Sequence, residues 1–144
     1  MNITSFGKPL ASDIETFEKH IGFSLPADYK EFLIENNGGS VRNCSFVVSD
    51  LLKVIDLHVL YGITPEKNNN LYTWHDEYSS DLFENSVIIG SDLGGGLIVI
   101  CNSEDTPGVY YWDHTYNFEQ SDDDNNVYRI SNDFTAFVNA LQCD

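Results

Sequence analysis

Between Val87 and Asp113 three apolar runs follow one another with no space for a helix between them, and no other stretch restricts the fold as much. Val87-Ile88-Ile89-Gly90 and Gly96 to Cys101 flank Ser91-Asp92-Leu93-Gly94-Gly95, whose glycines can adopt positive φ, so this spacing predicts a β-hairpin. Thr106-Pro107-Gly108 then turns the chain into a third strand, Val109 to Asp113. Strands in direct succession, without βαβ alternation, point to antiparallel pairing.

Helical patterns bracket this region. Ile14, Phe17 and Ile21 share one helical face beginning near Asp13, with Ser12 or Asp13 available as a cap. Pro26 suits the first position of a second helix carrying Tyr29, Phe32 and Leu33, and Asn36-Asn37-Gly38-Gly39 closes it through a left-handed residue. Ser45 to Val48, Leu52 to Ile55 and Val127 to Ile130 read as strands, and Leu71 to Tyr78 reads as a short helix. Ser131 is placed to cap a last helix bearing Phe134, Phe137, Val138 and Leu141. The expected class is α+β: a largely antiparallel sheet with helices from both ends of the chain packed against it. With no repeat or linker, residues 1–144 are expected to form one domain, long enough to bury roughly 68–70% of its unfolded surface.

Charge narrows the possible partners. The chain has 23 acids against seven bases, a net −16, and 14 of those acids lie between Thr73 and Asp144 beside a single base, Arg129. Solubility requires a net charge of only about 2 to 8 in magnitude, and the excess costs stability through self-repulsion. Such a surface repels nucleic acid and anionic membranes and complements a basic protein. The three cysteines, Cys44, Cys101 and Cys143, are odd in number and form no C-x-x-C pair, which argues against a disulfide framework and for a reducing compartment. Met1 to Leu10 has no apolar signal core, and the apolar run Leu97 to Cys101 is too short to span a bilayer, so a cytoplasmic location is expected.

Catalytic signatures are missing. The glycines from Gly90 to Gly96 open onto a strand and carry no lysine, unlike a phosphate-binding loop. His20, His58, His75 and His114 have no zinc-ligand spacing, and no serine or cysteine sits in a nucleophile motif. Asp122, Asp124, Asn126 and Asp133 fall at ligand positions of a calcium loop, but Val127 stands where that loop needs glycine. The expectation is a non-enzyme without cofactor or metal. A pair of carboxylates facing each other across a cleft is the remaining enzymatic alternative, that of a small hydrolase.

Ile14, Phe17, Gly22, Leu25-Pro26, Tyr29-Lys30, Phe32-Leu33 and Asn37-Gly38-Gly39, in that order, resemble the N-terminal signature of the SUKH superfamily. Tyr61-Gly62-Ile63, Ile89-Gly90-Ser91-Asp92, Val109-Tyr110-Tyr111-Trp112-Asp113-His114 and Phe134-x-x-Phe137-x-x-x-Leu141 continue the resemblance along nearly the whole chain. It implies helices packed on one sheet and a non-enzymatic role. Bacterial members of that superfamily bind and neutralise toxins delivered by neighbouring cells, often nucleases, whereas eukaryotic members regulate cell-wall synthesis through protein partners. The charge and the resemblance together lead to the expectation of an immunity protein for a basic toxin domain, with a regulatory scaffold of cell-wall or glucan synthesis as the alternative. The acidic contacts expected are Glu104, Asp105, Asp113, Asp122, Asp123 and Asp124, with Tyr116 or Trp112 as an aromatic anchor. The acids from Glu104 to Asp124 are expected to form one contiguous exposed surface.

Overall fold

A computed structural model describes residues 1–144. The chain is an α+β protein with nine strands and four α-helices: β1 (Ile3–Ser5), α1 (Ala11–Ile21), α2 (Ala27–Asn36), β2 (Gly39–Val41), β3 (Cys44–Val48), β4 (Lys53–Leu60), α3 (Leu71–Tyr78), β5 (Ser86–Asp92), β6 (Leu97–Cys101), β7 (Gly108–Trp112), β8 (Val127–Ser131), α4 (Phe134–Ala140) and β9 (Gln142–Cys143). Every ladder is antiparallel, in the order β1-β2-β4-β5-β6-β7-β8. The long strand β4 makes this possible: its C-terminal part pairs with β2, its N-terminal part pairs with β3, and β9 lies beyond β3.

The helix ends follow the sequence with small shifts in the capping residue. Asp13 lies within α1 and reaches back to accept the Leu10 amide (3.0 Å), so it secures the helix entry from inside. Pro26 is the residue just before α2, and Lys30 N donates to its carbonyl (2.9 Å). Asp133, two residues beyond the expected Ser131, caps α4 by accepting from Ala136 N (2.7 Å). Leu71 to Tyr78 is helical as expected, with the Asn70 side chain accepting from Tyr72 N (2.8 Å).

The central strands β5, β6 and β7 are covered on both faces. Tyr111 of β7 points to the side where Phe46 of β3 lies 5.9 Å away, and Phe46 in turn meets Phe137 of α4 at 5.5 Å. Trp112, one residue on, points to the opposite side, where its ring stands edge-on to Tyr78 of α3. Phe134 joins α4 to α2 through Tyr29 (5.1 Å) and Phe32 (5.0 Å).

One expectation about the cysteines is overturned. Cys44 of β3 and Cys143 of β9 form a disulfide across 99 residues, and only Cys101 is free and buried. The pair meets because β9 runs antiparallel beside β3 with Cys44 opposite Cys143, a juxtaposition that spacing along the chain does not reveal. The inference of a reducing compartment from unpaired thiols therefore falls. Asn2 Nδ2 also donates to the Asp144 carbonyl (2.9 Å), so the residue before β1 and the residue after β9 meet. No helix is long and apolar enough to cross a membrane.

Candidate partner-binding surface

Three connections converge at one end of the sheet: the β3–β4 hairpin, the β5–β6 turn and the long β7–β8 loop. Two buried carboxylates hold the last two of them. Asp92, at the end of β5, accepts from Gly96 N (2.8 Å) and from the Tyr111 hydroxyl, which closes the β5–β6 turn onto β7. Gly96 is required because a Cβ there would lie 2.1 Å from the Tyr111 hydroxyl oxygen. Burial, and then the hydrogen bond to Asp92, raise the Tyr111 phenol above its ordinary range and keep it a donor.

Asp113 organises the β7–β8 loop. Its two carboxylate oxygens accept from Asn117 N and Phe118 N (2.9 Å each), and its own amide donates to the Asn126 carbonyl (2.8 Å). Farther along the loop, Asp122 Oδ1 accepts from Asp124 N and Asn125 N (2.9 Å each), the Tyr116 hydroxyl donates to Asp123 (2.5 Å), and Ser121 meets Tyr128 at 2.8 Å. The bond to Asp123 is the leading cause that lifts the Tyr116 phenol above its usual range.

The expected contact residues thus divide into three groups. Tyr116, Asp122, Asp123 and Asp124 are exposed together on the β7–β8 loop. Glu104 and Asp105 are exposed in the β6–β7 turn, at the other end of β7, because Cys101 pairs with Gly108 while Trp112 pairs with Val127. The contiguous surface from Glu104 to Asp124 is therefore corrected to two separate acidic sites. Asp113 is fully buried and Trp112 almost so, which removes both as outward contacts in the folded chain. For Asp113 the reason is its two backbone donors. For Trp112 it is the cover that α3 places over a strand that alternation alone would leave half open.

The calcium pattern also disperses. Asp122 turns its carboxylate onto its own loop, while Asp133 lies beyond β8 and caps α4. No group of three or more potential ligands gathers anywhere in the fold.

Charge neutralisation is sparse. Of the 23 acids only Glu18 and Asp76 come within ion-pair distance of a basic side chain, Lys30 and His20 respectively. Arg129, the single base of the acidic half, donates instead to the Pro107 carbonyl (3.2 and 2.9 Å) and to Asn132 (2.9 Å). Raising salt from about 0.01 to 1 M shortens the screening length from about 30 to 3 Å and is expected to raise Tm by several degrees, as self-repulsion is screened. A Tm that falls with added sodium chloride in thermal melts would contradict this.

Two histidines, His75 on α3 and His114 on the β7–β8 loop, are partly withdrawn from water. Burial lowers the imidazoles of His75 and His114 below their ordinary range, against the opposing pull of Asp76 on the first and of Asp113 and Asp92 on the second; His20 lowers His75 further. The unfolded chain then binds protons more readily than the folded one. The stability is fully present above the unfolded histidine value of about 6.5 and is lost as pH falls through and below it. Tm is expected to drop between about pH 7.5 and 5.5, and a His75→Gln/His114→Gln double variant should show a flatter profile.

Comparison with known proteins agrees with this fold and its punctuation. Residues 8–140 match the model of the SMI1 / KNR4 family (SUKH-1). The chain is also similar to the SPbeta prophage-derived uncharacterized protein YokK of Bacillus subtilis (strain 168), 30% identical over 145 residues that cover 89% of this chain and 72% of that protein. Two of the sequence fragments quoted above as resembling that superfamily meet directly in space. The Asn37 side chain brackets Ile63, donating to its carbonyl and accepting its amide (2.8 Å each), and Gly62 lies against the Asn37 carbonyl so closely that a Cβ would come within 1.9 Å of that oxygen. With the helix-ending asparagine, its glycines and their partner strand all in place, the chain belongs to the SMI1/KNR4 family, SUKH-1.

Proposed function

We propose that this chain is a non-catalytic binding domain, an immunity protein that captures a basic toxin domain and blocks its active site. The observation that carries this reading is the unneutralised acidic field: 23 acids, one paired with a lysine and one in contact with a histidine, on a chain whose single arginine in the acidic half is committed to backbone and amide oxygens. A nuclease or similar toxin needs a cationic cleft for its phosphate substrate, and an acidic protein can occupy that cleft in place of the substrate. Similarity to a prophage-derived protein supports a role in conflict between genetic elements. The two most buried carboxylates, Asp92 and Asp113, are each engaged by two intramolecular donors that fix turns and loops, a structural role that accounts for their burial without catalysis.

The test is inhibition and association kinetics with a toxin domain encoded beside this gene. Stoichiometric loss of toxin activity is expected, with an association rate that approaches about 10⁸ M⁻¹s⁻¹ at low salt and falls steeply as salt is added. A toxin that stays fully active in excess of this protein would refute the reading.

A further inference from the structure

The β3–β4 hairpin presents apolar side chains to solvent in a way the rest of the molecule does not. Nine large apolar or aromatic side chains remain exposed, and four of them, Val47, Leu52, Val54 and Leu93, belong to this one end of the sheet. Val47 and Val54 are directly opposed across β3 and β4, on the face away from the inward pair Phe46 and Ile55. Leu52 connects to them at the hairpin tip, 88% exposed and held in a left-handed conformation (φ 54°) that a leucine rarely adopts. Leu93, at the tip of the β5–β6 turn, faces Val54 across a groove of about 170 Å³ that Phe118 of the β7–β8 loop also lines.

Carboxylates surround this apolar centre. Asp50 precedes Leu52 in the hairpin turn, Asp56 follows Val54 on the same outward face and lines the groove, and the loop that supplies Phe118 also carries Asp122, Asp123 and Asp124. None of these acids has a basic partner within ion-pair distance. A desolvating centre inside a charged rim is the arrangement of a protein docking site, in which the rim steers and the centre holds.

The geometry points to this hairpin face, centred on Leu52 and Val54, as the docking surface for a cationic protein segment that carries an apolar side chain between lysines or arginines. The inference rests on the proposal above that the partner is a basic protein, and it assigns that partner a place. The turn bearing Glu104 and Asp105, at the other end of β7, lies outside it.

The probe is a short synthetic peptide with two central leucines flanked by lysines and arginines, beside one version with glutamates for the cations and one with serines for the leucines. Amide shifts of the intact protein are followed by NMR and affinities by calorimetry. The cationic leucine peptide should shift Val47, Leu52, Val54 and Leu93, and the other two should bind at least about tenfold more weakly. Leu52→Asn, which keeps a residue suited to the left-handed position, and Val54→Thr, which keeps a strand former, should each weaken binding several-fold without lowering Tm. Glu104→Gln/Asp105→Asn should leave affinity unchanged. Shifts confined to Asp122–Asp124, with the leucine and serine peptides binding equally, would overturn the hairpin assignment and leave the basic-partner reading standing. Failure of every cationic peptide to bind would overturn both. Self-association in sedimentation velocity that Val54→Thr abolishes would also overturn it, by making a second copy the occupant.

Discussion

Cys143→Ser is expected to lower the unfolding free energy by about 4 to 5 kcal/mol, the entropy that a crosslink removes from an unfolded loop of this size. The bond to Cys44 spans 99 residues, so it constrains most of the unfolded chain, whereas in the folded protein it secures a strand that makes only two rungs with β3. The loss should appear in urea denaturation as a lower midpoint. Reduced wild-type protein should unfold at the midpoint of the serine variant, because both lack the same crosslink. If oxidised wild type, reduced wild type and variant all unfold together, the bond contributes nothing. Because such bonds are rare among proteins kept in a reducing cytosol, the oxidised and reduced midpoints also bracket the stability available in either compartment.

Gly62→Ala is expected to be nearly as damaging, by about 3 kcal/mol or more. The new methyl group would stand 1.9 Å from the Asn37 carbonyl oxygen, a backbone atom at the end of α2 that has no rotamer to move into. Relief requires separating the two segments, which breaks both hydrogen bonds between the Asn37 side chain and Ile63. Asn37→Ala tests the same clasp from the other side: it removes both bonds and puts alanine in a left-handed position (φ 53°). Near-equal losses in the two variants, with less than additive loss in the double variant, would show that the clasp acts as one unit. A wild-type melting curve for Gly62→Ala would dismiss it.

Much of the fold was legible because local chemistry and tertiary packing agreed. The runs around Val87, Gly96 and Val109 became β5, β6 and β7, and Leu71 to Tyr78 became α3 with its Asn70 cap. The strands β1, β2 and β9 were missed because two or three residues carry no readable alternation, and their pairing depends on partners brought from far along the chain. Of the site, the amount of charge was legible and its placement was not. A signal was available, however: successive connections in an antiparallel meander lie at opposite ends of the sheet, which already separates Glu104 and Asp105 from Asp122 to Asp124. Asp113 and Trp112 were misplaced for a different reason. Alternation describes one strand, while burial depends on what covers each face, and here Tyr78 and the loop amides of Asn117 and Phe118 do so.

The hydrogen bond from Asn2 to Asp144 makes the polypeptide nearly a closed ring. A short flexible linker between those two residues, with new ends opened between Asp123 and Asp124, would give a circular permutant that keeps every strand pairing. In that permutant β9 and β1 would follow each other directly along the chain, so β9 would reach its partner β3 across a shorter stretch of chain instead of from the far end of the polypeptide, which should speed the docking of this edge strand during folding.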